Sequence, residues 1–305
     1  MSALPRTGRV RLDLMDSRMP RISLVVATVG RTAELARFLV HLSAQSYRDV
    51  ELIIVDQNPD ERLQPILTPY RSRFQVAHLR SERGVSRARN LGLKRISGDI
   101  VAFPDDDCWY GDAELLARVA AFLASHPQWD GLNAIARDED GMPIDPRAGS
   151  QAARLTRRNV CFSWMTYAFF LTRRVIEKVG GFDETLGPGS GSILGAGEDA
   201  DYLLRSIGAG FAIRYEPSLA VNHPSDRPRF DSAGLARAFS YSAGLYGVLR
   251  LHGYPMRSVA WPMARTTFGL GLALLSGDIA TARYRLAALR GRIRGWQSAR
   301  ELRSP

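Results

Sequence analysis

The chain has 305 residues, 45% of them apolar and 24% charged, with a formal net charge of +10 and two cysteines, Cys108 and Cys161. That composition supports a sizeable folded core and excludes wholesale disorder, a disulfide framework and a Cys/His zinc site. The charge is uneven: residues 1–21 carry a net +3, residues 232–305 carry eleven arginines and two acids for a net +9, and 22–231 is left with −2.

A slightly acidic middle argues against nucleic acid as a partner, and the Arg-rich ends suit an anionic membrane surface. Residues 1–20, MSALPRTGRVRLDLMDSRMP, lack the continuous apolar run of a signal peptide and read as a basic, solvated arm. From Arg21 to about Gly111 two periods alternate. Ile22–Ala27, Val50–Val55, Phe74–Leu79 and Ile100–Phe103 are short β-branched or aromatic runs, the pattern of strands buried on both faces. Between them Leu35, Phe38, Leu39 and Leu42, then Val85, Ala88, Leu91 and Ile96, recur at helical spacing. Alternating strand and helix predicts right-handed crossovers and a mostly parallel sheet, whose ligands bind at the carboxyl ends of the strands.

Those ends are polar. The first is Thr28-Val29-Gly30-Arg31, the second Asp56-Gln57-Asn58, the fourth Pro104-Asp105-Asp106-Asp107. A helix is expected from about Asp112 to Ser125, a polar Gly/Pro loop over 137–150, and a buried strand over Cys161–Leu171. Seven glycines fall within Gly180–Gly197 and predict a flexible loop. It runs into Glu198-Asp199-Ala200-Asp201, where Leu203, Leu204 and Ile207 mark the buried face of a helix. After Asp231 the chain reads as helical. Leu235, Phe239, Leu245 and Leu249 suggest one amphipathic helix, and Met256–Ser276 is apolar but broken by Pro262 and Arg265. Its longest clean run, Thr266–Leu275, is about half of what a bilayer span requires. Leu286, Leu289, Ile293 and Trp296 then share a helical face, with Arg283, Arg290 and Arg294 on another. Residues 232–305 therefore read either as a segment lying in a membrane interface or as a helical lid on the domain.

Three adjacent carboxylates repel one another, and a hard divalent cation relieves that repulsion. In an extended segment Asp105 and Asp107 point to one side and Asp106 to the other, which offers a pair of ligands for a metal bound to a diphosphate. Glu198 and Asp199 open a helix, where the dipole favours the anion and the preceding loop can close over a substrate. His223 stands beyond the end of an expected strand and can serve a metal or a phosphate.

In this order, VDQNPD (55–60), RGVSRARNLGL (83–93), GDIVAFPDDDCW (98–109), and GGFDETLG with GAGEDADYLLR (180–205) resemble the motifs of family 2 glycosyltransferases. The resemblance covers about Arg21 to Pro224. It implies a GT-A fold over 21–231, transfer of a sugar from a nucleotide-sugar donor with inversion, and Mg²⁺ or Mn²⁺ as cofactor. It implies that Thr28 and Asp56 line the nucleobase pocket, with Asp105 and Asp106 also on the donor. Asp107, with Asp105 and His223, would hold the metal; Asp199 would be the general base, with Glu198 beside it. By the same resemblance the acceptor is a lipid-linked glycan of a bacterial surface or secreted polysaccharide, and the enzyme works peripherally on the cytoplasmic face of the membrane. Three departures stand out: TVGR where the family often has Thr-Tyr-Asn-Arg, Arg83 in place of a frequent Asn, and VDQN without a second acid. Two other readings are a sugar-nucleotide pyrophosphorylase, which a Gly-rich basic signature after the first strand would mark, and a non-catalytic nucleotide-binding module.

Overall fold

A computed structural model describes residues 19–160, 165–225 and 228–301, the side chains of 299–301 excepted. The N-terminal arm up to residue 18 and the start of the expected Cys161–Leu171 strand lie outside the described residues. Eight strands form one sheet in the order β3-β2-β1-β4-β7-β5-β8-β6. Its first half comprises β1 (Ile22–Thr28), β2 (Val50–Asp56), β3 (Gln75–Arg80) and β4 (Ile100–Ala102), all parallel. Between these strands run α1 (Ala33–Ala44), the single turn α2 (Gln64–Leu67) and α3 (Val85–Leu93). The central runs are continuous because both faces are covered. Ile22, Leu24, Val26, Leu52 and Ile54 pack on the side of Leu35, Phe38 and Leu39 of α1. Val25, Ile53 and Val55 pack on the side of Ala88 of α3.

The second half is mixed. After α4 (Leu115–Ser125), β5 (Gly131–Arg137) pairs antiparallel with β7 (Phe169–Thr172) and parallel with β8 (Ile213–Asn222), while the short β6 (Ala153–Arg154) edges β8. The expected strand over Cys161–Leu171 is confined to its end: Thr166–Ala168 form a 3₁₀ turn, and only Phe169 onward joins the sheet. The expected helix from Asp112 starts at Leu115, because Asp112 is spent on the turn before it, its carboxylate accepting the Glu114 N–H at 2.9 Å. Helices α5 (Arg173–Val179) and α6 (Glu198–Gly208) cover the α3 face, joined by the glycine-rich loop.

The C-terminal segment comprises α7 (Ser232–Leu251), α8 (Met256–Leu275) and α9 (Ile279–Glu301), with α9 parallel to α7 and antiparallel to α8. Helix α7 rests on the loop before α6, and α9 lies along α7. Small residues set both approaches: a Cβ on Gly244 would lie 2.1 Å from the Ala196 carbonyl oxygen, and one on Gly295 would lie 1.9 Å from that of Ala243. The face expected from Leu286, Leu289, Ile293 and Trp296 therefore holds only in part. Trp296 is buried and Ile293 exposed, because the Gly291–Gly295 stripe, rather than the larger residues, meets α7. Helix α8 is outermost. Among the described residues no helix is long and apolar enough to cross a membrane.

Candidate active site

The parallel register brings Thr28, Asp56 and Arg80 into one row at the carboxyl ends of β1, β2 and β3. Thr28 is buried. Asp56 is fully buried and richly bonded. One of its oxygens accepts from the Asn58 N–H and side-chain amide, both at 2.8 Å; the other faces His78 Nε2 at 2.9 Å and Arg80 at 2.8 Å. A base donor would have to join or displace one of these partners. Asn58 in turn accepts the Gly30 N–H at 2.7 Å, and Gln57 accepts that of Gly84, so the β1 and β2 ends and the start of α3 hold one another.

Asp105-Asp106-Asp107 is not extended. The chain turns at Asp106 and Asp107, and the Cys108 N–H bonds back to the Asp105 carbonyl at 3.2 Å. Strand alternation therefore does not explain why Asp105 and Asp107 share a side; the turn does. Their carboxylates converge with His223, carried in from the end of β8, so that one ligand atom from each lies within 4.8 Å of the others. The strand end is held there by paired backbone bonds between Trp109 and Asn222, both 2.9 Å. Asp106 points elsewhere, to Arg31 at 2.8 Å, and burial pushes its carboxyl up to about 6 against that cation.

The cluster fits a hard divalent cation. Two carboxylates and an imidazole are suitable donors. His223 Nδ1 lies 2.8 Å from the Pro224 carbonyl oxygen, which accepts an Nδ1–H and leaves Nε2 facing Asp107 at 3.1 Å. Such an outer bond fixes the tautomer and ring of a ligating histidine. Stacking on Tyr167, with ring centroids 4.6 Å apart, fixes it further. Asp107 Oδ1 is buried without a hydrogen-bond donor in line with it. Against the upward push of burial, His223 and Arg31 hold the Asp107 carboxyl below its usual range. The same neighbourhood raises His223, with Asp107 and Asp105 outweighing burial.

On the other side of Asp105 stand Glu198 and Asp199, at the first turn of α6. The buried Arg89 of α3 joins the two groups. Its guanidinium lies 3.0 Å from Asp105, 3.3 Å from Glu198 and 3.2 Å from Asp199. Asp199 also accepts the Thr166 N–H at 3.2 Å. Burial first, and Glu198 beside it, push the Asp199 carboxyl well above its ordinary value, with Arg89 opposing. Asp201, two residues on, faces away to Arg205 and to His252 of the turn after α7.

Two cavities meet at Asp105 and His223. One, of about 600 Å³, lies over the strand ends and is lined by Val29, Arg31, Gln57, Arg83 and the three aspartates. The other, of about 470 Å³, is lined by Met165, Tyr167, Glu198, Asp199, Tyr246 and Arg292. Arg237 and Tyr241 of α7 border both, so the C-terminal helices form a wall of the cleft. The sequence reading assigned roles to neither Arg31 nor Arg89. Arg89 lay within RGVSRARNLGL, but nothing in its spacing separates it from a surface arginine of a short helix.

The sheet, the acidic turn and the carboxylates at the start of α6 have the arrangement of a GT-A fold. Residues 23–176 match the glycosyl transferase family 2 model, and the chain belongs to that family. It is 28% identical over 235 residues to the pre-mycofactocin glycosyltransferase of Mycobacterium tuberculosis, covering 63% of this chain and 48% of that protein. The chain thus spans about half the length of that relative. It is 24% identical over 236 residues to glycosyltransferase AglE of Haloferax volcanii, covering 69% of each chain. Among solved structures it shares its fold with the mannosyltransferase PcManGT of Pyrobaculum calidifontis in complex with GDP-Man and Mn²⁺ (TM-score 0.60, 16% identity, 91% of this chain and 88% of that one). It is similarly close to S. aureus TarS 1–349 in complex with UDP-GlcNAc (TM-score 0.60, 15% identity, 92% of each chain). Membership of that family speaks against the pyrophosphorylase reading.

Proposed function

We propose that the enzyme transfers a sugar, with inversion, from a nucleotide-sugar to a hydroxyl of a lipid-linked glycan acceptor. The observation that carries this is the joining of the two carboxylate groups through Arg89: a metal-type cluster on one side, and a half-buried carboxyl of raised pKa on the other. Asp105, Asp107 and His223 would hold Mg²⁺ or Mn²⁺, and such an ion supplies charge stabilisation to a departing nucleoside diphosphate. Thr28, Asp56, Asp105 and Asp106 serve the donor. Asp56 acts from beneath the nucleobase pocket, fixing Asn58 and Arg80, while Arg31 balances the charge of Asp106 and Asp107. Asp199 takes the proton of the acceptor hydroxyl as that oxygen attacks the anomeric carbon, and a carboxyl whose pKa is raised is a stronger base for the task. Glu198 sustains that shift, and Arg89 keeps both acids in place. No covalent enzyme intermediate is needed.

The acceptor-side cavity is walled by α7 and α9, whose outer neighbour α8 exposes a row of large apolar side chains among arginines. This supports a peripheral position on an anionic, cytoplasmic membrane face, with the cleft held near the headgroups. The deciding experiment follows nucleoside-diphosphate release from UDP-, GDP- and dTDP-sugars with Mn²⁺ or Mg²⁺. Release from one donor, stimulated by a lipid-linked acceptor, is expected. Failure of every donor to bind or turn over would overturn the reading.

A further inference from the structure

Beyond Tyr246 and Arg292 the acceptor-side cavity adjoins another, of about 880 Å³, which shares Leu245, Tyr246 and Arg292 with it. Six arginines line this second cavity, Arg147, Arg157, Arg158, Arg257, Arg265 and Arg292, and no carboxylate does. Two of the six are engaged locally. Arg147 is paired with Asp145 at 2.8 Å, and Arg157 donates to the His252 carbonyl and lies over the Tyr254 ring. Among the described residues, Arg158, Arg257, Arg265 and Arg292 form no salt bridge with a carboxylate.

Arg292 is the most telling. Its hydrogen-bond acceptors are neutral, the Pro262 carbonyl at 2.7 Å and the Thr266 hydroxyl at 2.6 Å, and its Nε is buried with no partner. Burial, with Arg265 adding to it, holds this guanidinium below its ordinary value against the pull of Tyr246. Like charges gathered without a counter-ion are costly, and guanidinium forks match phosphate oxygens in pairs. The same helix, α8, supplies Arg257 and Arg265 to the basin and leaves Trp261, Phe268, Leu272 and Leu275 exposed outside it. An anion seated here has an apolar surface beside it and the catalytic cavity next to it.

We propose that this arginine basin binds the phosphate or diphosphate through which the acceptor sugar is attached to an apolar chain. The acceptor hydroxyl then lies in the adjoining cavity at Asp199, and the apolar chain leaves along α8. The assignment rests on the glycosyltransferase reading above and adds the anionic part of its acceptor.

Calorimetry on the full chain tests it with dodecyl phosphate below its micellar concentration, uncharged dodecyl glucoside, and vesicles of phosphatidylcholine with or without phosphatidylglycerol. Titrations are run with and without saturating nucleoside diphosphate. Monomeric dodecyl phosphate is expected to bind at least about tenfold more tightly than the glucoside, and to do so with the nucleotide present. The exposed triple variant Arg158→Gln/Arg257→Gln/Arg265→Gln should lose about tenfold or more of that affinity while its nucleoside-diphosphate affinity and melting temperature stay unchanged. Equal binding of the two detergents, an unaffected triple variant, or displacement of dodecyl phosphate by nucleotide would each overturn the proposal. So would wild-type protein that binds anionic vesicles through these arginines yet ignores the monomeric phosphate, since the basin would then serve bilayer headgroups. Absence of nucleotide binding by wild-type protein would count instead against the glycosyltransferase reading, and the detergent comparison would still read the basin.

Discussion

Arg89 and Asp199 lie 3.2 Å apart, and the same buried guanidinium reaches Asp105 at 3.0 Å. One side chain of α3 thus fixes the distance between Asp105 and the proposed base, Asp199. Arg89→Ala would leave three carboxylates facing one another in a partly exposed site, at a cost of about 3 kcal/mol, the lower end of what breaking a buried ion pair costs. Arg89→Lys keeps the charge without the fork, and should fold while losing about a hundredfold in kcat through misplaced acids. Melting curves and kcat on the two variants check this; near-normal turnover of the lysine variant would show that the fork is dispensable.

Asp199→Asn removes the proposed base and should lower kcat by about 10²–10⁴-fold with donor affinity kept. If it turns over near normally, Glu198 becomes the base. The pH profile tests the environment of the pair. As the proposed base Asp199 would act as the carboxylate, and its pKa is raised by burial and by Glu198. Activity should therefore fall as pH drops through a value above the usual carboxylate range. Glu198→Gln removes the neighbouring charge, lowers that pKa and moves the acid limb to lower pH. An acid limb already at an ordinary carboxylate pKa in the wild-type enzyme would contradict the assignment.

EDTA should abolish turnover, with activity returning on addition of Mn²⁺ or Mg²⁺. Asp107→Asn should weaken metal-dependent binding of the nucleoside diphosphate, while metal-independent affinity changes little. Full activity in metal-free buffer would remove Asp107 and His223 from this role.

Asp201 supports the fold rather than the chemistry. It ties α6 to the turn after α7 through Arg205 at 2.7 Å and His252 at 2.8 Å. Asp201→Asn should cost about 2 kcal/mol, in the range of hydrogen bonds to charged groups. Although burial opposes it, His252 and Arg205 lower the folded pKa of Asp201. Its stabilisation is therefore present above the unfolded carboxylate value and lost as pH falls through the lower folded one. Urea melts of both proteins should differ at neutral pH and converge in acid, and a constant difference would contradict the pairing.

The strand–helix alternation over Ile22–Ala102 could be read from sequence because β1, β2 and β4 are continuous apolar runs and the crossovers local, although β3, expected to be buried on both faces, is a half-exposed edge strand. The mixed half could not. GLNAIAR (131–137) is short and carries Asn133, and its pairing with β7 and β8 depends on contacts distant in sequence that no periodicity encodes. At the site, the carboxylates were visible as residue types at strand and helix ends. Convergence of Asp105 with Asp107 required a turn, which strand alternation does not describe. The roles of Arg31 and Arg89 depend on which acids they face. Helix α7 was harder still: of Leu235, Phe239, Leu245 and Leu249 only Leu249 is buried, and the buried face runs through Ala238, Ala243, Gly244 and Gly247, small residues that an amphipathic reading passes over.

The membrane contact should reside in α8. Trp261 is 74% exposed, Phe268 69% and Leu275 87%, and with Leu272 they follow one another at helical spacing along one side of a helix otherwise docked against α9. Arg257 and Arg265 flank the row. Removing residues 232–305 would be a poor test of this contact, because α7 carries Arg237, Tyr241 and Tyr246 into the cleft. Two substitutions on the outer face, Trp261→Ser and Phe268→Ser, leave that wall intact. Each arginine near an anionic surface contributes about 1 kcal/mol, and each buried aromatic side chain about 2 kcal/mol, so attachment should need both. Full-length protein should therefore sediment with phosphatidylglycerol-containing liposomes at low salt and be partly released at high salt. The double variant should remain largely in the supernatant under both conditions, with nucleotide affinity unaltered. Liposome binding that survives the double substitution would place the contact elsewhere, and no binding by the wild-type protein at low salt would remove the membrane from the account altogether.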